Sequence, residues 1–277
     1  MAAAGRGTWL HMPLPPPGPD AHVLVTGASS GIGAAVARSL SSRGYPVVLV
    51  ARRAEVLAEL ARELGGELDG ARTLAADLAD DAERARVREV VLADERIVGV
   101  VNAAGYGLTG RVADIAGRPG GAEDLDQLVR LDVLALHDLT VAAVTALMDR
   151  GGGAVLNVSS ITAYQPLPGV ASYAAAKAFV QSFSEAVHAE LAGSGVSLTT
   201  VSPGLTRTGF ADAAGTEAFD RAPAFTVGDA EDVAEAAVEA MAAGRRTVVP
   251  GWVNQLSAFG GRHVPRSLLL PVVNSFG

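Results

Sequence analysis

The stretch His22-Val-Leu-Val-Thr26-Gly27-Ala-Ser-Ser-Gly31-Ile-Gly33 runs directly into a helical segment, Ala34 to Arg43. Its apolar run predicts a short strand, and its glycines predict a tight turn that opens a helix. Glycine lets a backbone approach a pyrophosphate, and a helix N-terminus offers free N–H groups. The spacing is G-x-x-x-G-x-G rather than the common G-x-G-x-x-G, so a plain strand-to-helix connection is the alternative. In the phosphate-binding interpretation, the contacts come from Gly27, Ser29, Ser30, Gly31, Ile32 and Gly33.

The alternation of strand and helix continues from this unit to about residue 250. Such alternation is typical of βαβ units, and therefore of a parallel sheet with helices on both faces. We predict one α/β domain, a doubly wound parallel sheet over residues 21–250. Strands are predicted at 22–26, 46–50, 71–75, 97–101, 154–158, 196–201 and 247–249, and helices at 34–43, 53–64, 80–93, 123–148, 172–191 and 229–242, with Asp80 or Asp81 capping the third helix.

The two ends of the chain differ from this domain. Residues 1–20, with prolines from Pro13 to Pro19, are predicted to be a disordered extension rather than a signal peptide. Residues 251–277 are an apolar tail, in which Pro265 and Pro271 prevent one long helix. The tail could cover the active site, pack on a neighbouring subunit or rest on a membrane surface, and we favour the subunit contact.

Composition excludes several classes of protein. The 277 residues include no cysteine, so disulfides and thiolate metal sites are excluded. The net charge of −8 argues against nucleic acid as a partner. The five histidines show no ligand spacing, so no metal is expected. No apolar run approaches the length of a membrane span, and the cytoplasm is the default location.

The end of the second predicted strand indicates which dinucleotide would bind. The sequence there is Val50-Ala51-Arg52-Arg53, with no acid before Glu55. An NAD site usually carries an Asp or Glu at this place, whereas arginine pairs with the 2′-phosphate of NADP. The sequence therefore favours NADP(H), with Arg52 and Arg53 as contacts. The alternative is that both arginines simply begin a surface helix.

The second informative stretch is Ser160-Ile-Thr-Ala-Tyr-Gln-Pro-Leu-Pro-Gly-Val-Ala-Ser-Tyr173-Ala-Ala-Ala-Lys177. Tyr173 and Lys177 are four residues apart and share one helix face, and Lys177 is the only lysine of the chain. Its ammonium favours tyrosinate, and should lower the phenol pKa from its usual value of about 10. Ser160 would hold a substrate oxygen while Tyr173 donates or accepts the proton. A helix with Tyr and Lys on its exposed face is the alternative.

Five motifs, in order, resemble those of the short-chain dehydrogenase/reductase family. Thr26–Gly33 resembles the family's glycine turn, and Asp77-Leu78 resembles its adenine-contacting Asp with the neighbouring residue. Asn102-Ala103-Ala104-Gly105 resembles its NNAG segment, and Ser160 with Tyr173 and Lys177 matches its catalytic Ser and YxxxK. The PG motif is matched by Pro203-Gly204-Leu-Thr206-Arg-Thr208.

The resemblance covers about residues 21–250 and implies a Rossmann-type fold. It also implies reversible hydride transfer between a nicotinamide and a carbonyl or alcohol. Tyr173 would be the acid/base, Lys177 would contact the nicotinamide ribose, and Ser160 would polarise the carbonyl. Residues 102–105 would line the cofactor, and Thr208 would meet the nicotinamide carboxamide. Family members are usually dimers or tetramers built on the long helices, so a homodimer or homotetramer is expected.

One departure from the family concerns its fourth catalytic residue, an Asn in the long helix before strand five. Asp132 stands at that position. An ionised Asp132 near Lys177 would hold the lysine cationic, and could raise the pKa of Tyr173 by repelling tyrosinate. Two hypotheses follow. One is an NADP(H)-dependent carbonyl reductase or alcohol dehydrogenase. The other is a protein of the same fold without the redox step, either an isomerase, cyclase or dehydratase using Tyr173 and Asp132, or a cofactor-binding module.

Substrate contacts in such a fold come from loops beyond the carboxyl ends of the strands. The candidates are Tyr106–Thr109, Ile161–Pro168 and Thr206–Phe225, the last with the composition of a mobile lid. Tyr164 and Phe210 could face the pocket or simply pack. The apolar character of these loops predicts a small hydrophobic substrate.

Overall fold

A seven-stranded parallel sheet forms the centre of the computed structural model, which describes residues 14–66, 70–207 and 227–274. The strand order is β3-β2-β1-β4-β5-β6-β9, so the chain reverses its direction of travel across the sheet between β1 and β4. That reversal leaves a crevice at the carboxyl ends of the two strands, where α/β proteins bind ligands. The strands are β1 His22–Thr26, β2 Val47–Ala51, β3 Ala71–Ala75, β4 Ile97–Asn102, β5 Gly153–Val158, β6 Val196–Val201 and β9 Thr247–Val248, with a separate small ladder of β7 Thr206–Arg207 and β8 Gly228–Asp229.

Helices cover both faces of this sheet. Side chains alternate along β1, so Val25 belongs to the core cluster that contains Ala37 of one helix layer, while Leu24 belongs to the cluster that contains Leu139 of the other. Both faces are therefore buried, which is why the strands are continuous apolar runs. The helices are α1 Gly31–Ser42, α2 Ala54–Glu63, α3 Asp81–Ala93, α4 Val112–Ala116, α5 Gly121–Val129, α6 Leu136–Arg150, α7 Ala171–Glu190, α8 Ala230–Ala242, α9 Trp252–His263 and α10 Arg266–Asn274.

The α/β doubly wound fold and the predicted strands are confirmed, most bounds to within a residue. Asp80 is the N-cap of α3, and its carboxylate accepts from the backbone N–H groups of Ala82 and Glu83 at 2.9 Å each. The short helix α4 was not predicted. The predicted long helix 123–148 is α5 and α6, joined by a wider π-helical turn, Arg130–Ala135, which contains Asp132.

Among the described residues, one continuous helical stretch, Gly121–Arg150, is long and apolar enough to cross a membrane. No apolar run of that length had been found in the sequence analysis. Half of its apolar window is buried inside the protein, as in a core helix. It is therefore only weak evidence for a membrane span.

The described part of the N-terminal extension packs on the domain. Leu14 is fully buried, and the carbonyl of Pro15 accepts a hydrogen bond of 2.8 Å from the Tyr45 hydroxyl. The prediction of a disordered extension is therefore wrong for residues 14–20, because an apolar side chain anchors them; residues 1–13 lie outside the described residues. At the other end, the tail forms α9 and α10, with the break at Val264 and Pro265.

Candidate active site

A cavity of about 710 Å³ opens at the carboxyl edge of the sheet. Thr26 holds one lining segment of the cavity in place, because its Oγ1 accepts from the N–H groups of Ala103 and Ala104 at 3.0 and 3.1 Å. Gly27 lies against the same segment with a φ of +68°, and a Cβ there would be 2.7 Å from the Ala103 carbonyl oxygen. The predicted residues that line the cavity are Gly27, Ser29, Ser30, Gly31, Ile32, Gly33, Arg52, Arg53, Asp77, Leu78, Ala103, Ala104, Gly105, Ser160, Tyr173, Lys177, Pro203, Gly204 and Thr206.

The glycine turn places the start of α1 at one end of this cavity. A Cβ on Gly33 would be 2.4 Å from the Gly27 carbonyl oxygen, so only glycine allows the helix to pack this closely. Ser30 is the N-cap, but its side chain makes no capping hydrogen bond. The first N–H groups of α1 therefore remain available to an anion.

Two arginines border the same end. Arg53 donates to the Ser29 carbonyl at 3.3 Å and to its hydroxyl at 3.2 Å, and so braces the glycine turn. Arg52 is exposed, lines the cavity, and makes no ion pair with any described residue. On the neighbouring strand end, Asp77 accepts from the Ala79 N–H at 3.0 Å. Arg52 is thus a guanidinium still available for an anionic ligand.

Ser160, Tyr173 and Lys177 meet at the centre of the cavity. Ser160 follows β5 and caps the turn Ile161–Tyr164, where its hydroxyl accepts from the Thr162 N–H at 3.2 Å. Tyr173 and Lys177 lie one turn apart on α7, with the Lys177 ammonium 5.6 Å from the centroid of the phenol ring. The same ammonium donates to the Val158 carbonyl at 3.2 Å. This arrangement suits proton transfer to or from an oxygen beside Ser160.

Burial governs the acidity of Tyr173. It raises the pKa of the phenol above 10.0, while the Lys177 ammonium and a hydrogen bond with Ser160 lower it and the Asp132 carboxylate raises it further. The pKa of Tyr173 is raised overall, so the sequence-based expectation of a lowered pKa is wrong for the protein without a bound ligand. The desolvation of a nearly enclosed phenol outweighs one neighbouring cation whose charge Asp132 offsets.

Asp132 forms a buried ion pair with Lys177, with 3.0 Å between Oδ2 and Nζ. Its other oxygen accepts from the Tyr106 N–H at 3.0 Å. Burial raises the pKa of Asp132, although Lys177 opposes the shift. Burial lowers the pKa of Lys177, but the Asp132 carboxylate and the Tyr173 phenol outweigh it, and the pKa is raised. Asp132 is fully buried and does not line the cavity, so its contact with the cavity runs through Lys177 and Tyr106.

Asn102 does not line the cavity, in contrast to the prediction for residues 102–105. Its side chain donates to Thr140 at 3.1 Å and to Asn157 at 2.9 Å, and Asn157 donates to Ser184 at 2.9 Å. The last residue of β4 alternates away from the crevice and joins the sheet to α6 and α7.

The substrate end of the cavity is lined by the predicted loop residues Tyr106 to Thr109, Ile161 and Thr162. Tyr164 packs instead, with its hydroxyl donating to Ser202 at 3.2 Å. Thr208 and Phe210 lie outside the described residues, as does the rest of the predicted lid except Thr206 and Arg207. Several apolar residues of the lining were not predicted from the sequence, although each lies next to a predicted motif and could have been inferred from it. They are Leu131, Val158, Val170 and Leu205.

A sequence model described as short chain dehydrogenase matches residues 21–218. The chain belongs to the short-chain dehydrogenase/reductase family. It is therefore an oxidoreductase with a pyridine-nucleotide cofactor, and the family resemblance in the sequence is confirmed.

Relatives of this short-chain dehydrogenase/reductase occur in bacteria, in the fungus Pseudocercospora fijiensis and in the bird Anas platyrhynchos. Sulfoacetaldehyde reductase 2 of Chromohalobacter salexigens is 35% identical over 226 residues, covering 77% of this chain and 85% of the relative. A short-chain dehydrogenase from Sphingobium yanoikuyae, solved with NADPH, is 31% identical with a TM-score of 0.76, covering 90% of this chain and 95% of the other. The bulky-bulky ketone specific alcohol dehydrogenase from Comamonas testosteroni is 27% identical with a TM-score of 0.72, covering 88% and 98%.

Proposed function

We propose that this chain is an NADP(H)-dependent oxidoreductase that interconverts a carbonyl and an alcohol on a small apolar substrate, with Tyr173 as general acid/base. The observation that carries the proposal is the convergence of Ser160, Tyr173 and Lys177 in a cavity whose other end has an unpaired Arg52. This convergence joins the proton-transfer groups to a nucleotide-binding crevice.

The cavity fits a dinucleotide. The uncapped start of α1 would receive the pyrophosphate, and Arg52 and Arg53 would flank a 2′-phosphate. Asp77 and Leu78 would border the adenine, and Ala103 to Gly105 the middle of the cofactor. Lys177 would contact the nicotinamide ribose. Pro203, Gly204 and Thr206 would border the nicotinamide.

When bound, the reduced cofactor supplies a hydride to the carbonyl carbon. Side chains of this protein carry out the accompanying proton transfer. The Ser160 hydroxyl holds the carbonyl oxygen, and Tyr173 donates its phenolic proton to that oxygen as negative charge develops there. The Lys177 ammonium stabilises the resulting tyrosinate, and Asp132 keeps that ammonium in place. The phenol of Tyr173, with its pKa raised above 10.0, is protonated at neutral pH, and this is the form that donates the proton in carbonyl reduction.

The substrate end favours a neutral, apolar carbonyl compound. Leu108, Ile161, Val170 and Leu205 line it together with the ring of Tyr106. Arg52 and Arg53 lie at the nucleotide end, and Lys177, the remaining cation of the described lining, already pairs with Asp132. A sulfonate, as in the substrate named for the Chromohalobacter relative, would meet no free guanidinium or ammonium among these residues.

The non-redox alternative requires Asp132 to reach a substrate. Its carboxylate is fully buried, holds Lys177 and Tyr106, and lies outside the cavity lining. No observation therefore favours an isomerase or dehydratase over the oxidoreductase.

A homodimer or homotetramer, located in the cytoplasm, is part of the proposal. Large apolar side chains lie exposed from the end of α5 through the π-helical turn to α6, and near the middle of α7: Val129, Leu134, Val141, Met148 and Phe179. A face of this kind suits a second copy of the chain. Light scattering after size exclusion tests it.

The function is tested by titrating the purified protein with NADPH and NADH, following nicotinamide fluorescence. Reduction of acetophenone, cyclohexanone and sulfoacetaldehyde is then assayed with the preferred cofactor. We expect tighter NADPH binding and reduction of the neutral ketones. Tyr173→Phe should abolish turnover and keep NADPH binding, while the remote Tyr45→Phe should keep both. Turnover that survives Tyr173→Phe would refute the assigned role, and preferential NADH binding would refute the role of Arg52.

A further inference from the structure

The C-terminal helix α9 closes a ring of side-chain contacts behind the proposed active site. Arg262 donates to Glu185 Oε1 at 2.5 Å, and its guanidinium carbon lies 4.7 Å from the centroid of the Tyr164 ring. Gln181 donates to the same Glu185 oxygen at 2.8 Å and accepts from the Ser202 hydroxyl at 2.7 Å. The Tyr164 hydroxyl donates to Ser202 at 3.2 Å and completes the ring.

The ring joins the segments that carry the proposed reactive groups. Tyr164 is the last residue of the turn that Ser160 caps. Gln181 lies one helical turn beyond Lys177 on α7, and Ser202 directly precedes the loop that borders the nicotinamide site. Ser202 is fully buried and Gln181 nearly so, which shields these hydrogen bonds from water and strengthens them.

The backbone of α9 fits these segments closely. A Cβ on Gly261 would be 3.0 Å from the Tyr164 carbonyl oxygen, and a Cβ on Gly204 would be 2.2 Å from Asn254 Oδ1. A Cβ at Gly204 would overlap the Asn254 side chain, and a Cβ at Gly261 would fit only if the Tyr164 backbone shifted by a few tenths of an ångström. The match to the family model ends at residue 218, so α9 and Arg262 lie beyond the region that the family model describes.

We infer that Arg262 is a positioning residue for the reaction and that α9 completes the active site. Arg262 contacts Glu185 on α7 and the Tyr164 ring of the turn after β5, and the hydrogen bonds between Gln181 and Ser202 and between Ser202 and Tyr164 join the same two segments. Without this clamp, the turn that carries Ser160 is released relative to Tyr173. The effect on turnover rests on the proposed function, whereas the effect on the turn does not.

The test compares Arg262→Met, which keeps an aliphatic chain over Tyr164, with Arg266→Met as the matched control. Arg266 is exposed at the start of α10 and pairs with no residue in the described part of the chain. Amide hydrogen exchange is followed in peptides that contain 160–164 and 202–206. In the same proteins, kcat and KM are measured with NADPH and the best ketone of the panel above.

We expect faster exchange in both peptides for Arg262→Met, and a kcat lower by about tenfold or more, since a misplacement of about 1 Å can cost a hundredfold. NADPH affinity should stay unchanged, and Arg266→Met should match the parent. Tyr164→Phe, a milder change, should lower kcat in the same direction. In a cycle with Glu185→Gln, the double variant should be no worse than Arg262→Met alone.

Unchanged exchange in Arg262→Met would overturn the clamp. Faster exchange with an unchanged kcat would overturn the positioning role. If Arg262→Met does not fold, Tyr164→Phe decides: parent-like exchange and kcat would overturn the inference. An inactive parent would refute the proposed function instead, and the exchange data would then decide the clamp alone.

Discussion

Replacing Asp132 by Asn removes one charge from a buried ion pair and changes little else in shape. The Asp132 and Lys177 side chains are 0% and 6% exposed, with 3.0 Å between the charged atoms. At an effective dielectric constant of about 20, this distance corresponds to an attraction of about 5.5 kcal/mol. The variant also recovers the desolvation cost of the carboxylate, but it leaves the lysine charge unpaired. We therefore expect the free energy of unfolding to fall by about 3–5 kcal/mol.

The same substitution should also change the pH dependence of the reaction. Asp132 raises the pKa of Tyr173, so its neutralisation lowers that pKa while Lys177 remains charged. Alcohol oxidation, which needs tyrosinate, should therefore begin at lower pH in Asp132→Asn. Carbonyl reduction at neutral pH should be kept. A substrate-contacting base would behave differently, since its loss would remove nearly all activity.

Urea unfolding and the pH profiles of kcat/KM in both directions measure these effects. Asp138→Asn is the matched control, because Asp138 lies on α6 and pairs with Arg84 and Arg88 at 3.3 Å, partly exposed. Surface pairs contribute about 0–1 kcal/mol, so the control should unfold close to the parent. The reasoning is refuted if Asp132→Asn and Asp138→Asn lose the same stability, or if the oxidative profile does not move to lower pH. Loss of all reductive activity would favour the non-redox hypothesis.

Three further predictions concern the cofactor, the tyrosines and the N-terminal segment. Arg52→Gln should weaken NADPH binding about tenfold or more while leaving NADH binding unchanged, since a charge-assisted contact to phosphate is worth about 1.5–3 kcal/mol; Arg62→Gln, exposed on α2, is the control, and equal losses for both cofactors would contradict the assignment. All four tyrosines have pKa values raised mainly by burial, to about 12 for Tyr106. An acid whose folded pKa is raised contributes stability that is present below its unfolded pKa of 10.0 and is lost as the pH rises through the folded pKa. The folded protein should therefore show little tyrosinate absorbance at pH 10.0, where the urea-unfolded chain is about half ionised; equal absorbance would contradict the burial. Leu14→Ala should lower the free energy of unfolding by about 2–5 kcal/mol in urea titrations, whereas a disordered extension would show no change.

The sequence alone determined the architecture and most of the cavity. Apolar runs that alternate with amphipathic segments admit only strands buried on both faces and helices that cover them, so the α/β fold and its strand bounds follow from local patterns. The glycine turn and the Tyr173/Lys177 spacing are equally local. Both depend on backbone conformation and helix periodicity, which neighbouring residues set.

Only the tertiary structure decided how the groups act on one another. The pKa of Tyr173 is raised rather than lowered, because burial is a property of everything packed around the phenol and not of its spacing to Lys177. The sequence put Asn102 beside the cofactor, whereas the structure turns it into the core. The contacts of Leu14 and Arg262 with the domain were also decided by the tertiary structure. Leu14 is buried in the core cluster beside Pro15, which accepts a hydrogen bond from Tyr45, 30 residues away, and Arg262 pairs with Glu185, 77 residues away; no local pattern encodes such contacts.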